Sequence, residues 1–244
     1  MSVENESGNG TGPAAVVFDL DGVLLDSEQA WDDARQELVR EHGLEWKDDA
    51  TRAMMGMSSR EWPVYVRDAL RVPLTAEQIN DDIVGRVLAR YRSDLPLLPD
   101  ARETVARIAD AFPIALASSS NREIIDEVLA TMGVCERFTA VVSSEEVARG
   151  KPAPDVYLEA ARQLGVDPAG CVAVEDSENG VKAAVAAGMR TIAYPNPHFP
   201  PADDALALAA AVVGGLEELT PASVRAAFAS TPGASSSRPP SAAG

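Results

Sequence analysis

The stretch that decides the fold is AAVVFDLDGVLLDSE, residues 14–28. Five largely apolar residues run straight into two aspartates spaced i and i+2, followed at once by a glycine and a second apolar run. A near-continuous apolar run of this length reads as a strand covered on both faces, as in parallel sheets. Paired carboxylates at its end raise one another's pKa and are costly to assemble unless a cation sits between them.

Outward from this stretch, short apolar runs recur at 114–117, 140–142, 172–174 and 191–193, with a weaker one at 211–213. Segments with helical spacing at 100–111, 121–132, 154–165 and 177–187 separate most of them. This order predicts an α/β fold with a doubly wound, Rossmann-like parallel sheet. The long gap between the first two runs holds helical patterns only, at 28–42, 48–55, 59–71 and 75–92. It predicts a small all-helical cap domain, residues 27–95, inserted after strand 1, with hinges near 26–27 and 94–99. The core then comprises residues 13–26 and 96–229. Residues 1–12 and 230–244 are rich in Gly, Ser, Pro and Ala without periodicity and are expected to be disordered tails.

Composition narrows the function. The chain has 244 residues, 46% of them hydrophobic, and no run reaches the roughly 20 apolar residues of a membrane span. The N-terminal MSVENESGNG lacks the basic and apolar regions of a signal peptide, so no membrane association and a cytoplasmic location are expected. Cys135 and Cys171 are too few for a zinc cluster and read as buried thiols. A formal charge of −17 without a basic, aromatic-interleaved patch excludes nucleic acid. The same charge repels small anions at a distance, but salt screens it over about 8 Å, so a pocket that supplies its own cations can still bind them. The protein is expected to be a monomer or weak homo-oligomer.

In open parallel sheets ligands bind beyond the carboxyl ends of the strands. The first strand delivers Asp19 and Asp21 there, and the second delivers Ser118, Ser119, Ser120 and Asn121 just before a helix. The third leads to Lys151, and the fourth ends in Glu175 and Asp176. Hard carboxylate oxygens suit Mg²⁺, which binds through one or two carboxylates plus a substrate phosphate. Hydroxyls and Asn121 at a helix N-terminus make an anion cradle, and Lys151 adds a point charge. Phosphate plus Mg²⁺ is the ligand this set describes. A calcium loop does not fit, because Val23, Leu24 and Leu25 stand where oxygen ligands are needed.

The segments FDLDGVLLDSE, ALASSSN, RGKPAPDVY and VAVEDSENGVKAAVAAGM resemble, in order, the four signature motifs of the haloacid dehalogenase superfamily, and in particular its β-phosphoglucomutase-like subgroup with a helical cap. The resemblance implies that Asp19 is a nucleophile forming an aspartyl-phosphate and that Asp21 is the general acid and base. It implies that Asp19, the Asp21 backbone carbonyl and Asp176 hold Mg²⁺, with Glu175 supporting the metal site. Ser118 would bind the transferring phosphoryl group, and Lys151 would neutralise charge and orient Asp19. The second aspartate argues against dehalogenation. The absence of a histidine about ten residues after the first motif, where Trp31 stands, favours a phosphatase over a phosphosugar mutase. The expected substrate is a small phosphorylated metabolite, a sugar phosphate; a mutase and a non-catalytic phosphate-binding or regulatory module remain the alternatives.

Substrate selection is expected in the cap. Gly56, Met57, Ser58, Ser59 and Arg60 read either as a specificity loop with Arg60 near the leaving group or as a helix–helix turn with core methionines. Among the tryptophans, Trp31 is the one expected to overhang the site. His42 and His198 lack companion ligands and read as structural or solvated.

Overall fold

The computed structural model describes residues 12–54, 57–196 and 200–230. The terminal segments expected to be tails lie, but for Gly12 and Ser230, outside the described residues, as do Met55, Gly56 and His198. β1 (Ala15–Phe18) forms where Ala, Val, Val and Phe follow one another, and all of its residues are fully buried. Val16 and Phe18 face one side of the sheet, and Ala15 and Val17 face the other. Burying a Val or Phe side chain contributes roughly 1.5–3 kcal/mol, so both faces must be covered, which requires helices on each side.

The remaining strands are β2 (Ile114–Ser118), β3 (Phe138–Ser143), β4 (Cys171–Glu175), β5 (Arg190–Ala193) and β6 (Ala211–Val212). All pair in parallel in the order β3-β2-β1-β4-β5-β6. The order reverses at β1, which opens a crevice at the carboxyl ends of β1 and β4.

In chain order the helices are α1 (Glu28–Glu41), α2 (Ala50–Met54), α3 (Trp62–Asp68), α4 (Ala76–Ser93), α5 (Ala101–Ala109), α6 (Arg122–Met132), α7 (Asp155–Leu164), α8 (Glu178–Ala186), α9 (Asp203–Leu206) and α10 (Pro221–Ala229). Residues of α7 and α8 cover the Ala15 and Val17 face, while α5, α6 and α10 cover the Val16 and Phe18 face. None of the described helices is long and apolar enough to cross a membrane.

Helices α1–α4 form the insertion between β1 and β2. A capping box between Thr75 and Gln78 starts α4, which buries Ile79, Ile83, Val87 and Tyr91 along one face against α1 and α3. Helix α3 is shorter than the expected 59–71. Pro63 lies in its first turn, and Ser58, Ser59 and Arg60 are drawn instead onto the core.

Besides the packing of α4 on α6 with its Arg92–Glu127 ion pair, two further contact sets join insertion and core. The linkers pair with each other: Asp26 N–H donates to the Pro96 carbonyl at 2.8 Å and Leu98 N–H to the Leu24 carbonyl at 3.0 Å, at the places where hinges are expected. On the far side, the Arg60 guanidinium donates to the carbonyls of Glu145 at 2.6 Å and Val147 at 3.2 Å, and Asn121 Nδ2 donates to Asn80 Oδ1 at 2.9 Å. A Cβ on Gly150 would stand 2.8 Å from the Ser58 Cβ, so this docking needs glycine there.

Arg60 is exposed, so its bonds add little to global stability. Arg60→Ala should lower the unfolding free energy by less than about 1 kcal/mol. Amide hydrogen exchange at 57–62 and 145–148 should nevertheless accelerate at least severalfold, because the docked loops open locally. Unchanged exchange in both segments would show that the contact does not hold the insertion down.

Candidate active site

The site grows from the turn that follows β1. Asp19 N–H donates to the Val174 carbonyl at 3.0 Å, so the first aspartate is fixed against the end of β4. The Leu20 carbonyl then accepts from Val23, Leu24 and Leu25 at 3.3, 2.8 and 3.2 Å. This tight turn buries the apolar run and leaves Asp19 and Asp21 at the sheet edge. Gly22 has φ +80°, a left-handed conformation that favours glycine, and a Cβ there would fall 1.9 Å from Asp176 Oδ2.

Lys151 is buried and donates to Asp19 Oδ1 at 2.7 Å and Glu175 Oε1 at 2.6 Å. Glu175 is fully buried, and its other bonds explain how that is tolerated. Oε1 also accepts from the Tyr157 hydroxyl at 2.6 Å, and Oε2 accepts from the backbone N–H groups of Asp176 and Ser177 and from the Ser177 hydroxyl. Gly180 opposes this carboxylate, since a Cβ there would lie 1.9 Å from Glu175 Oε1.

Asp19, Glu175 and Asp176 offer carboxylate oxygens within 4.8 Å of one another, all buried. Burial, joined by the charges of Glu175 and Asp21, outweighs the pull of Lys151 and leaves the Asp19 carboxyl raised to about 7. Burial, then Glu175 and Asp19, hold Asp176 well above the usual carboxylate range. Burial lowers the Lys151 ammonium, but Asp19 and Glu175 more than offset it and leave it raised. One lysine thus faces more carboxylate charge than it neutralises. A hard divalent cation such as Mg²⁺ fits this all-oxygen set. Asp19 and Asp176 are the side chains with oxygens to give, because both Glu175 oxygens are taken by protein donors.

Asp21 stands apart from the carboxylate cluster. Its Oδ2 accepts from the Ser120 hydroxyl at 2.6 Å, while its Oδ1 is buried without a hydrogen-bond partner among the described residues. Ser118 does not line the cleft: its Oγ accepts from Ser120 N–H at 3.0 Å and shapes the loop before α6. Ser119 and Ser120 are the hydroxyl residues of that loop that do line it.

The cleft lies between this floor and the insertion, with Trp31, Arg35, Met54, Met57 and Trp62 forming its opposite wall. Several expectations shift accordingly. Arg60 and Asn121 lie outside the lining: Arg60 is spent on core carbonyls, and Asn121 Nδ2 on Asn80 and Glu145. Trp31 does overhang the floor, but its ring meets the Trp62 ring edge-on at 5.7 Å and the Arg35 guanidinium at 5.2 Å. Met54 and Met57 serve as apolar wall and not only as core filler. His42 caps α1, its ring nitrogen Nδ1 3.0 Å from the Leu38 carbonyl, and takes no part.

Sequence reasoning missed Tyr157 and Arg35. Tyr157 follows Lys151 by six residues in the same quoted segment, so helical spacing from 155 could have turned it towards the sheet edge. Arg35 lies one turn after Trp31 on α1, a spacing that places both on one face.

Comparison with known proteins agrees with this geometry. The family model for haloacid dehalogenase-like hydrolases matches residues 13–188. Hexitol phosphatase B of Escherichia coli K12 is 34% identical over 212 residues, covering 84% of this chain and 94% of its own. Fructose-1-phosphate phosphatase YqaB of the same strain is 32% identical over 184 residues, covering 73% and 95%. The crystal structure of CbbY from Rhodobacter sphaeroides with phosphate superposes with a TM-score of 0.74 at 27% identity, covering 85% of this chain and 96% of that one. The motifs at the four strand ends, the parallel sheet and these matches together establish that the chain belongs to the haloacid dehalogenase-like hydrolases.

Proposed function

We propose that the protein is a phosphatase that hydrolyses a small phosphorylated metabolite, a sugar or sugar-alcohol phosphate, through an aspartyl-phosphate on Asp19. The observation that carries this reading is the pair at the end of β1. Asp19 lines the cleft with one oxygen clamped by Lys151, and Asp21 beside it holds a buried Oδ1 without a hydrogen-bond partner among the described residues. One carboxylate is positioned to attack and the other to exchange a proton. The relatives named for hexitol and fructose-1-phosphate phosphatase activity support the substrate class.

In the proposed reaction an Asp19 oxygen attacks phosphorus and the bond to the ester oxygen breaks. Asp21, protonated, gives its proton to the departing alkoxide. The resulting Asp21 carboxylate takes a proton from water, whose oxygen attacks phosphorus, and the bond to Asp19 breaks to release phosphate. Ser120 holds Asp21 in place through Oδ2. Ser119 and Lys151 line the cleft and would meet the phosphoryl oxygens there. Ser118 acts by shaping the loop, and Glu175 by holding Lys151. Mg²⁺, held by Asp19, Asp176 and the Asp21 carbonyl, would neutralise charge on the phosphoryl group and the carboxylates. The helical insertion acts as a cap that excludes bulk water from the cleft.

The test is phosphate release from sugar phosphates, polyol phosphates and p-nitrophenyl phosphate, with sugar isomers read in the same samples. Wild type with Mg²⁺ should release phosphate, and EDTA should abolish it. Asp19→Asn should remove detectable turnover while remaining folded, because Lys151 keeps Glu175 as partner. Asp21→Asn should lower kcat by roughly 10²–10⁴, the range typical of a lost acid–base group. Isomerisation without phosphate release would replace the phosphatase by a mutase, and full activity of Asp19→Asn would overturn the mechanism.

The raised carboxyls also set a pH dependence. Folding lifts Asp19 from 3.8 to about 7, so the folded state holds that proton more tightly. The resulting stability is fully present below pH 3.8 and is lost as pH rises to about 7, with Asp176 acting in the same direction. A bound cation should relieve the penalty at high pH and compete with protons at low pH. At a hundredfold excess over its Kd a ligand stabilises by about 2.7 kcal/mol, roughly 5–10 °C for a protein of this size. Thermal unfolding should show that Mg²⁺ increment at pH 8 and little of it at pH 5. An increment independent of pH would argue against cation binding at these carboxylates.

A further inference from the structure

Arg35 has no place in the reaction just described. It lies on α1 and lines the cleft opposite the catalytic floor. Its guanidinium sits 5.2 Å from the centre of the Trp31 ring and 5.3 Å from that of Trp62, so two indole faces fix where it stands. Among the described residues it makes no hydrogen bond or ion pair, and its Nε is buried without a partner. Burial pulls it down to about 10, with Asp32 and Asp21 near enough to raise it in part.

Neither carboxylate is its partner. Asp32 accepts from Gln36 at 2.7 Å and from Thr51 at 2.5 Å, and Asp21, whose Oδ2 accepts from Ser120 and whose Oδ1 has no partner among the described residues, makes no ion pair with Arg35 across the cleft. The other lining cation, Lys151, is consumed by Asp19 and Glu175. Arg35 is thus a charged, positioned fork of donors that a protein of net charge −17 leaves without an acceptor. Guanidinium forks match carboxylate and phosphate groups with two parallel hydrogen bonds.

We propose that Arg35 is a specificity-determining residue of the cleft, and that it takes a second anionic group, a carboxylate or a phosphate, on the end of the substrate remote from the transferring phosphoryl group. This rests on the phosphatase reading above and goes beyond it, since a hexitol phosphate or fructose 1-phosphate carries one charged group only. The walls assign the two ends of the substrate: the floor of Asp19, Asp21 and Ser119 takes the reacting phosphate, and the indole-flanked guanidinium takes the other anion. Trp31 and Trp62 then act as positioning residues that stop Arg35 from swinging to solvent or to Asp32.

Paired probes test it: glycerol 1-phosphate against 3-phosphoglycerate, and fructose 1-phosphate against fructose 1,6-bisphosphate, each with wild type, Arg35→Gln and Arg35→Lys. In at least one pair, wild type should favour the doubly anionic member about tenfold or more in kcat/KM. Arg35→Gln should cut that ratio at least tenfold, chiefly through KM, and Arg35→Lys should retain part of it. A wild-type preference for the singly charged member in both pairs, or a ratio that Arg35→Gln leaves unchanged, overturns the proposal.

Binding gives an independent readout. In an Asp19→Asn background, 3-phosphoglycerate and fructose 1,6-bisphosphate should perturb tryptophan fluorescence, because Trp31 and Trp62 flank Arg35. Adding Arg35→Gln should weaken the binding at least tenfold while circular dichroism confirms the fold. Equal binding with and without Arg35 overturns the proposal. Absence of phosphate release from every substrate, p-nitrophenyl phosphate included, overturns the phosphatase reading instead, and the binding comparison still decides the role of Arg35.

Discussion

The rest of the site depends on one buried ammonium. Lys151 Nζ lies between Asp19 Oδ1 and Glu175 Oε1 with almost no solvent access. Taking such charges out of water costs several kcal/mol per ion and is recovered only when geometry is good and the remaining lone pairs are satisfied. That demand explains much of the surrounding sequence. The Tyr157 hydroxyl and the N–H groups and hydroxyl at the start of α8 complete Glu175, and the Tyr157 ring lies 5.1 Å from Nζ. Gly180 leaves room for the Glu175 carboxylate, and Gly22 leaves room for that of Asp176. Replacing Lys151 by a neutral residue would leave three carboxylates crowded without their counter-charge. Its place is therefore as much a condition of the folded sheet edge as of the chemistry.

The same lattice divides the labour among the carboxylates. Glu175 accepts from Lys151, Tyr157, Asp176 N–H and Ser177, so its lone pairs are spent on protein donors and it anchors the Lys151 ammonium. Among the described residues Asp19 takes one donor, Lys151 at Oδ1, and so keeps the acceptor capacity that Glu175 has spent. Asp21, in the same turn but bonded to the loop before α6, belongs to a different hydrogen-bond network. Four acidic groups within one short edge thereby acquire distinct environments through their donors alone, not through differences in side-chain chemistry.

The floor of this site was legible in the sequence because topology enforces it. Apolar runs of four or five residues must be buried strands, the doubly wound order brings their carboxyl ends to one edge, and the residues just after them meet there whatever their side chains do. Asp19, Asp21, Lys151 and Asp176 are placed by the backbone in this way. Ser118 and Asn121 share the same edge, yet rotation of a side chain by one rotamer decides whether a hydroxyl or amide faces the cleft or the loop. Ser118 turns to Ser120 N–H and Asn121 to Asn80 and Glu145. Strand patterns cannot report that choice.

The opposite wall was less legible for a related reason. A helical insertion meets the core through side chains and loop tips, with no shared backbone ladder to fix a register. Arg60 illustrates this: an arginine in a break between cap helices fits a role at the leaving group, but two carbonyls in the stretch after β3 lie within its reach and take it. Arg35 is the reverse case, an arginine within an amphipathic helix that reads as one more solvated charge until its flanking indoles are placed in space. The two arginines thus sit on opposite sides of the same insertion: Arg60 bonds core carbonyls at its outer edge, and Arg35 lines the cleft between Trp31 and Trp62. Under the proposed function, a ligand in this cleft would meet the carboxylate floor at one end and the indole-flanked Arg35 at the other, so its length would have to match the gap between two separately built walls.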